Sequence, residues 1–241
     1  MNTILILFFI VVVAVTVYIT RERFVGPVKD NNACILLTTT VNIKTTDYLN
    51  PYNQPASRLA IYKTAIDKWL ANTDFTIYVV ESSNYGFPEY RNNPRVKVFT
   101  FVSDLDINCK HCSATPYEAE SILKAFNHFK LNRYQKIIKV TGKYYIPGMD
   151  KLIKDIPDTA DLYFQNLHDD ERKIQNSEIF GCRTSLLPTV MKLIIDNSYV
   201  NMNFESTLYS IQSRYKIYRF PPIALDTPIK RSGDNKIMDS L

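Results

Sequence analysis

The chemistry of this chain has to come from carboxylates, basic residues, hydroxyls and tyrosines, because the residues that mark common cofactor and nucleophile sites are missing. No stretch reads Gly-x-Gly-x-x-Gly, Gly-x4-Gly-Lys-Ser/Thr or Gly-x-Ser-x-Gly, which excludes the dinucleotide fingerprint, the phosphate loop and the hydrolase nucleophile elbow. Neither His-Glu-x-x-His nor two Cys/His ligand pairs occur, so zinc protease and zinc finger readings fail as well. Cys109-Lys110-His111-Cys112 has redox or zinc spacing, but without a second pair it reads as a loop disulfide or as inert thiols. Asp104-Leu105-Asp106 has the composition of a metal site and also that of a solvated turn. His168-Asp169-Asp170-Glu171, flanked by Arg172 and Lys173, reads as an exposed charged loop. The carboxylates of interest are those at element ends: Glu81 after an apolar run, Glu118 and Glu205 near helix starts, and Glu178 before an apolar pair.

The elements that must position these residues alternate between strand and helix. Ala33 to Thr40 is a short apolar run ending in hydroxyls, as expected of a buried parallel strand. Leu59, Ile61, Tyr62, Ala65, Ile66 and Trp69 repeat at helical spacing, with Pro55 just before them. Phe75 to Val80 and Val96 to Val102 are the next strands. Pro116 to Phe129 is a helix, with Thr115 as its expected N-cap and Glu118 and Glu120 in the first turn. Lys136 to Tyr145 is a strand broken by Gly142; Leu162 to Gln165 is extended; Glu178 to Arg183 leads into a helix at Leu186 to Asp196. Phe204 to Tyr215 is helical, and Lys216 to Phe220 is the last strand. This alternation with right-handed crossovers predicts an α/β fold, a three-layer and mostly parallel sheet. Ligands of such sheets sit at the carboxyl ends of the strands, here Thr38–Thr40, Glu81–Ser83, Ser103–Asp106 and Thr141–Lys143.

The chain has 241 residues, 46% of them hydrophobic, and a formal net charge of +5. Its first twenty residues are a different material: Thr3 to Thr20 carries no charge and as a helix would span roughly 27 Å, enough to cross hydrocarbon. The expected organisation is a transmembrane anchor at 1–20, a linker at 21–32, one domain at 33–229 and a flexible polar tail at 230–241. A cleaved signal peptide would want a basic start and an Ala-x-Ala-like site, and neither is evident. Arg21, Arg23 and Lys29 follow the segment and no basic residue precedes it, which favours a cytosolic over a lumenal domain of a single-pass membrane protein. The chain's 19 Asn include no Asn-x-Ser/Thr acceptor, and Cys34 and Cys182 sit inside apolar runs as buried thiols would. Sixteen Tyr with a basic balance do not point to nucleic acid, because basic and acidic residues are interleaved along the chain.

Several of these segments together resemble a family. Arg58, Tyr62 and Trp69 on the first helix, Val79-Val80-Glu81-Ser82, Tyr117-Glu118-Ala119-Glu120, Ile138-Lys139-Val140-Thr141-Gly142-Lys143-Tyr144, Ser177-Glu178-Ile179-Phe180-Gly181 and Asn203-Phe204-Glu205 are similar to glycosyltransferases of the nucleotide-sugar-binding A-type fold. Within these, the chain is most similar to a group from bacterial surface-polysaccharide clusters and large DNA viruses. The resemblance covers residues 33–225, and the chain departs from the group at Ala114–Tyr117, where a glycine-bearing turn is usual.

The resemblance implies sugar transfer from a nucleotide-sugar donor to a glycan or other hydroxyl acceptor. Glu205, opening the helix after the acceptor-side strand, would be the general base of an inverting enzyme; as a bare helix-start carboxylate it would only complement the dipole. Glu178 is the second candidate for base or acceptor contact. Thr38 and Thr39 would contact the nucleotide, Glu81 would accept from base or ribose, and Arg58 would reach the diphosphate unless it is an exposed helix arginine. Glu118 is a donor-side candidate or a helix-start carboxylate. Most A-type enzymes hold a divalent metal with an Asp-x-Asp at the end of the fourth strand, where this chain has Thr141-Gly142-Lys143. Gly142 would let the backbone approach a phosphate, and Lys143 would neutralise the leaving diphosphate as a point charge, helped by Lys139 or Arg183. Metal dependence is therefore not favoured; the competing reading makes Gly142 a bulge and Lys143 a solvated side chain. A non-catalytic tethered module that binds a glycan or a protein on a degenerate fold is the alternative function.

Overall fold

The computed structural model describes residues 32–43, 53–103, 105, 114–166, 168–230 and 237–241. The expected anchor at 1–20, the linker through residue 31, both carboxylates of Asp104-Leu105-Asp106 and the Cys109–Cys112 motif lie outside them. Among the described residues no helix is long and apolar enough to cross a membrane.

The fully buried apolar run gives strand β1 (Ala33–Thr39), the centre of the domain. It pairs in parallel with β2 (Ile77–Glu81) on one side and β4 (Lys136–Thr141) on the other, and β3 (Val96–Thr100) extends the sheet beyond β2. Beyond β4 lie β8 (Ile179–Arg183), β5 (Leu162–Phe164) and β9 (Ile217–Arg219), giving a seven-stranded sheet in the order β3-β2-β1-β4-β8-β5-β9. Only β8 runs antiparallel to its neighbours, so the sheet is mostly parallel as expected. A hairpin of β6 (His168–Asp169) and β7 (Ile174–Gln175) carries the charged His168–Glu171 run at its exposed tip.

Period-2 alternation sends successive strand residues to opposite faces, and each face is covered by its own helices. Ile35, Leu37, Ile77, Val79, Ile138 and Val140 pack against α1 (Pro55–Asn72) and α3 (Met149–Lys154). Cys34, Leu36, Tyr78, Val80, Ile137 and Phe180 pack against α2 (Thr115–His128), α4 (Leu187–Ser198) and α5 (Phe204–Ile211). The expected three layers follow. Helix α1 buries Tyr62, Ala65, Ile66 and Trp69, and the fully enclosed Trp69 donates its indole N–H to the Tyr144 carbonyl at 3.0 Å. Burial of each such large side chain stabilises by roughly 1.5–3 kcal/mol. Cys34 and Cys182 are free, buried thiols, and burial pushes both well up from the ordinary thiol range.

Two expectations need correction. Strand β4 stops at Thr141: Gly142 still gives its N–H to the Thr38 carbonyl at 2.9 Å, but the chain turns at Gly142–Lys143. The stretch 230–241 is more than a loose tail: β11 (Ile237–Ser240) pairs antiparallel with β10 (Ala224–Lys230). The buried Leu241 seats the end, exchanging backbone bonds with Ile223 at 2.9 Å in both directions.

Candidate functional site

The carboxyl ends of β1 and β4 and the amino ends of α2 and α5 meet in one polar cluster. Glu118 lies in the first turn of α2, and its Oε1 accepts from the Thr38 hydroxyl at 3.0 Å and from the Lys139 ammonium at 2.6 Å. Lys139, in the middle of β4, is only 1% exposed. Its remaining donors go to the Thr141 hydroxyl at 3.1 Å and the Ser177 carbonyl at 2.8 Å, and its Nζ lies 5.8 Å from the Phe204 ring centre. A buried ammonium with acceptors for all its hydrogens is the arrangement under which a charge can stay inside a protein.

The Ser177 hydroxyl continues the chain of contacts by donating to Glu205 Oε1 at 2.6 Å. Glu205 is held in the first turn of α5, whose start is fixed by Asn203: its side-chain oxygen accepts from the Ser206 N–H at 2.7 Å. Burial, with a smaller contribution from the Glu118 charge, pushes the Glu205 carboxyl up from its ordinary value, while the Ser177 bond, its own backbone amide and Lys139 pull it down. A carboxylate raised in this way at a strand-end rim binds a proton more tightly than a free carboxylate does.

The two helix starts are locked by a residue whose role the sequence did not disclose. Thr115, expected as the N-cap of α2, sits one residue inside the helix instead, and its hydroxyl accepts the Phe204 N–H at 3.1 Å. That bond joins positions 89 residues apart and brings Glu118 and Glu205 to the same cluster.

The remaining predicted residues divide clearly. Thr38 belongs to the cluster, but Thr39 faces the opposite side of the sheet, where its hydroxyl donates to the Val80 carbonyl at 3.1 Å; a single residue of strand alternation separates them. Gly142 is explained by packing: a Cβ there would lie 2.4 Å from Thr39 Cγ2 and 2.8 Å from the Thr38 carbonyl oxygen. Glu81 is fully buried and its four lone-pair positions are taken. Oε1 accepts from the Val41 N–H at 2.8 Å and the Ser83 hydroxyl at 2.5 Å, and Oε2 from the N–H groups of Ser83 and Tyr85 at 2.9 and 2.6 Å. It anchors the loop after β2, which a little further on holds Phe87 at a φ of 44°, and leaves no acceptor for a ribose.

Arg58 latches α1 to the end of β1, its Nε donating to the Thr40 carbonyl at 2.7 Å and its Nη2 to the Tyr62 hydroxyl at 2.6 Å. Glu178 is buried beside the cluster and accepts from Gln165 Nε2 at 3.0 Å, while its backbone carbonyl accepts the Thr141 N–H at 2.9 Å. The neighbouring Asn176 has a buried amide Nδ2 without a hydrogen-bond partner. Lys143 remains partly exposed on the turn after β4, its ammonium 5.1 Å from the Tyr144 ring centre. Arg183 is at the other end of the sheet, opposite Lys136, and cannot assist Lys143.

At the end of β4 the Lys139 ammonium joins the Thr141 hydroxyl to the Glu118 carboxylate, which it already pairs with at 2.6 Å. Among the described residues no group of three His, Cys, Asp or Glu side chains is placed to hold a metal ion.

No protein-family model matches the chain, and no curated protein matches it in sequence. Solved structures do. A cytidylyltransferase from Leptospira borgpetersenii serovar Hardjo-bovis (strain JB197) aligns over 86% of this chain and 81% of its own, at 12% identity and a TM-score of 0.50. A putative nucleotide-diphospho-sugar transferase from Desulfovibrio desulfuricans G20 aligns over 79% and 80%, at 12% identity and a TM-score of 0.49. A glycosyltransferase involved in glycosylation of the major capsid of PBCV-1 aligns over 77% and 80%, at 10% identity and a TM-score of 0.46. At such identities a likeness is one of fold: a mostly parallel α/β sheet, as expected from the sequence, shared with the cytidylyltransferase.

Proposed function

We propose that the chain is a glycosyltransferase that moves a sugar from a nucleotide-sugar donor to a hydroxyl of a glycan or similar acceptor. The observation that carries this reading is Glu205, a carboxyl group raised by burial and oriented by Ser177 at the carboxyl-end rim of the sheet. In the proposed step the acceptor hydroxyl gives its proton to Glu205 as its oxygen bonds to the anomeric carbon. The bond from that carbon to the nucleotide phosphate breaks on the opposite side, with inversion, and the phosphate oxygen takes up the negative charge. Lys143, on the turn after β4, is the cation assigned to that charge. Lys139 positions instead: its ammonium holds Glu118 and the Ser177 carbonyl, and Ser177 in turn holds the base.

In this reading residues 1–20 anchor the enzyme in a membrane with the domain on the cytosolic side, the arrangement that Arg21, Arg23 and Lys29 support. A melting screen of the full-length protein against UDP-, GDP- and CMP-sugars tests the proposal. Stabilisation by one donor class, followed by release of its nucleotide on adding acceptor, is the expected result. If none stabilises at millimolar concentration, the tethered binding module is favoured; release of pyrophosphate from a nucleoside triphosphate would mean nucleotidyl transfer instead. Chelation should leave turnover intact, and a complete loss restored by Mn2+ would overturn the role given to Lys143.

A further inference from the structure

A cavity of about 310 Å³ opens at the end of the sheet opposite the cluster, with Lys136, Asp158, Tyr163, Arg183, Thr184 and Ser185 among its lining residues. Lys136 begins β4 and Arg183 ends β8, and the two are direct partners across the ladder. Five residues of strand, about 16 Å, separate this end from Thr141.

Its hydrogen-bond inventory is unbalanced. Lys136 Nζ donates to the Ile156 carbonyl at 2.9 Å and pairs with Asp158 at 3.3 Å, leaving its third hydrogen without an acceptor among the described residues. Arg183 uses Nε on the Ala160 carbonyl at 2.9 Å and on Asp161 at 3.5 Å, and Nη2 on the Asp158 carbonyl; among the described residues Nη1 has no acceptor. Tyr163 is fully enclosed, and its hydroxyl is buried without a partner. Gly181 makes room for that ring, since a Cβ there would stand 2.8 Å from Tyr163 Cδ2. Thr184 and Ser185 lie in the turn that leads through the N-cap Leu186 into the 12-residue helix α4, so the amino end of that helix is directed toward this end of the sheet. Spare donors thus exceed spare acceptors. The competing acid, Asp158, has a 93% exposed side chain, and its pairing with Lys136 is weak enough for a ligand to displace.

We propose that this cavity is a second binding site, separate from the donor site, for a small soluble phosphate monoester. Its phosphate oxygens accept from Lys136, Arg183 and the Tyr163 hydroxyl, and the volume left over accommodates the organic substituent. An unpartnered buried hydroxyl costs stability until something accepts from it, so ligand and apo forms should respond oppositely to its removal.

The test is calorimetric titration and melting of the full-length protein in detergent with inorganic phosphate and with glucose 1-phosphate, ionic strength being held by NaCl. The wild type should melt roughly 5–10 °C higher at a hundredfold excess over Kd. Tyr163→Phe should melt at the same temperature or higher without ligand and bind phosphate at least about 10-fold more weakly. Lys136→Met should lose a similar factor, and neither variant should change nucleotide-sugar binding. Three results would overturn the proposal. The first is a shift reproduced by NaCl alone. The second is a Tyr163→Phe variant that melts lower and binds phosphate as the wild type does, which would assign the hydroxyl to an internal water. Phosphate binding indifferent to both substitutions and competitive with nucleotide sugar would place the anion in the donor site.

Discussion

Lys139→Met isolates the part of the site that the fold itself depends on. Methionine matches the lysine stem in length and can remain among Phe204 and the apolar strand residues, so the change removes the charge with little loss of volume. It strips Glu118 of its cation at 2.6 Å and the Ser177 carbonyl of a donor at 2.8 Å. Removing one partner of a buried ion pair costs about 3–5 kcal/mol. The Glu118 side chain is 25% exposed, so water partly replaces the cation and the low end applies, about 3 kcal/mol. For a domain of this size that corresponds to a fall of roughly 6–12 °C in melting midpoint.

Urea denaturation and scanning calorimetry of the full-length chain measure the loss, and Glu118→Gln with Lys139→Met closes a double-mutant cycle. The double variant should recover part of it, because it removes both charges, with a coupling of about 0.5–3 kcal/mol. A second readout separates positioning from simple destabilisation. Lys139 pulls the Glu205 carboxyl down, so its loss raises that group further and moves the acid limb of the kcat/KM profile to higher pH. A variant melting within a degree or two of the wild type, or a cycle with no coupling, would refute the reasoning.

Glu205→Gln keeps an acceptor for the Ser177 hydroxyl and removes the charge. Turnover should fall by about 10²–10⁴ with donor binding unchanged, and retained activity would refute the role. Because the folded state raises this carboxyl, the native protein holds its proton more tightly than the unfolded chain does, and stability falls as pH rises through that interval. Glu205→Gln should flatten that dependence and raise the melting midpoint at neutral pH, as calorimetry at several pH values can check. Glu81→Gln turns one end of a saturated carboxylate into a donor facing other donors, and urea denaturation should show a loss of about 2–3 kcal/mol. Gly142→Ala should cost about 1–3 kcal/mol, because both atoms crowding the new methyl belong to β1, one of them backbone; an unchanged midpoint would show that the turn can yield.

The sheet was readable because each strand is a short apolar run and each long helix repeats its apolar residues at a single period, both local signals. The first-turn positions of Glu118 and Glu205 were readable for the same reason, since a carboxylate at a helix start announces itself by position. Lys139 was not. In sequence it is a polar residue in an alternating strand and could face water; it is buried because α2 and α5, drawn together by Thr115 and Phe204, close over that face. Thr39 and Glu81 failed for a related reason. A strand-end position identifies the rim, but not which of two adjacent hydroxyls faces it, nor that the next loop folds back to saturate a carboxylate. Helix α3, at six residues, is too short to display a period.

The two lysines of the Lys139–Lys143 segment therefore divide one role that the sequence assigned loosely to both. Lys139 is neutralised in place by Glu118, so it contributes no net charge toward an incoming diphosphate, and its distance to Glu205 is set by Ser177 between them. Lys143 lies beyond the glycine that ends β4, partly exposed and outside that pair. In the proposed mechanism the charge that meets the ligand sits on the turn and the charge that holds the base sits in the strand, where burial fixes it. Gly142 stands between the two lysines: its N–H still bonds the Thr38 carbonyl of β1 at 2.9 Å, the close approach of β1 excludes a side chain there, and the chain turns at Gly142–Lys143.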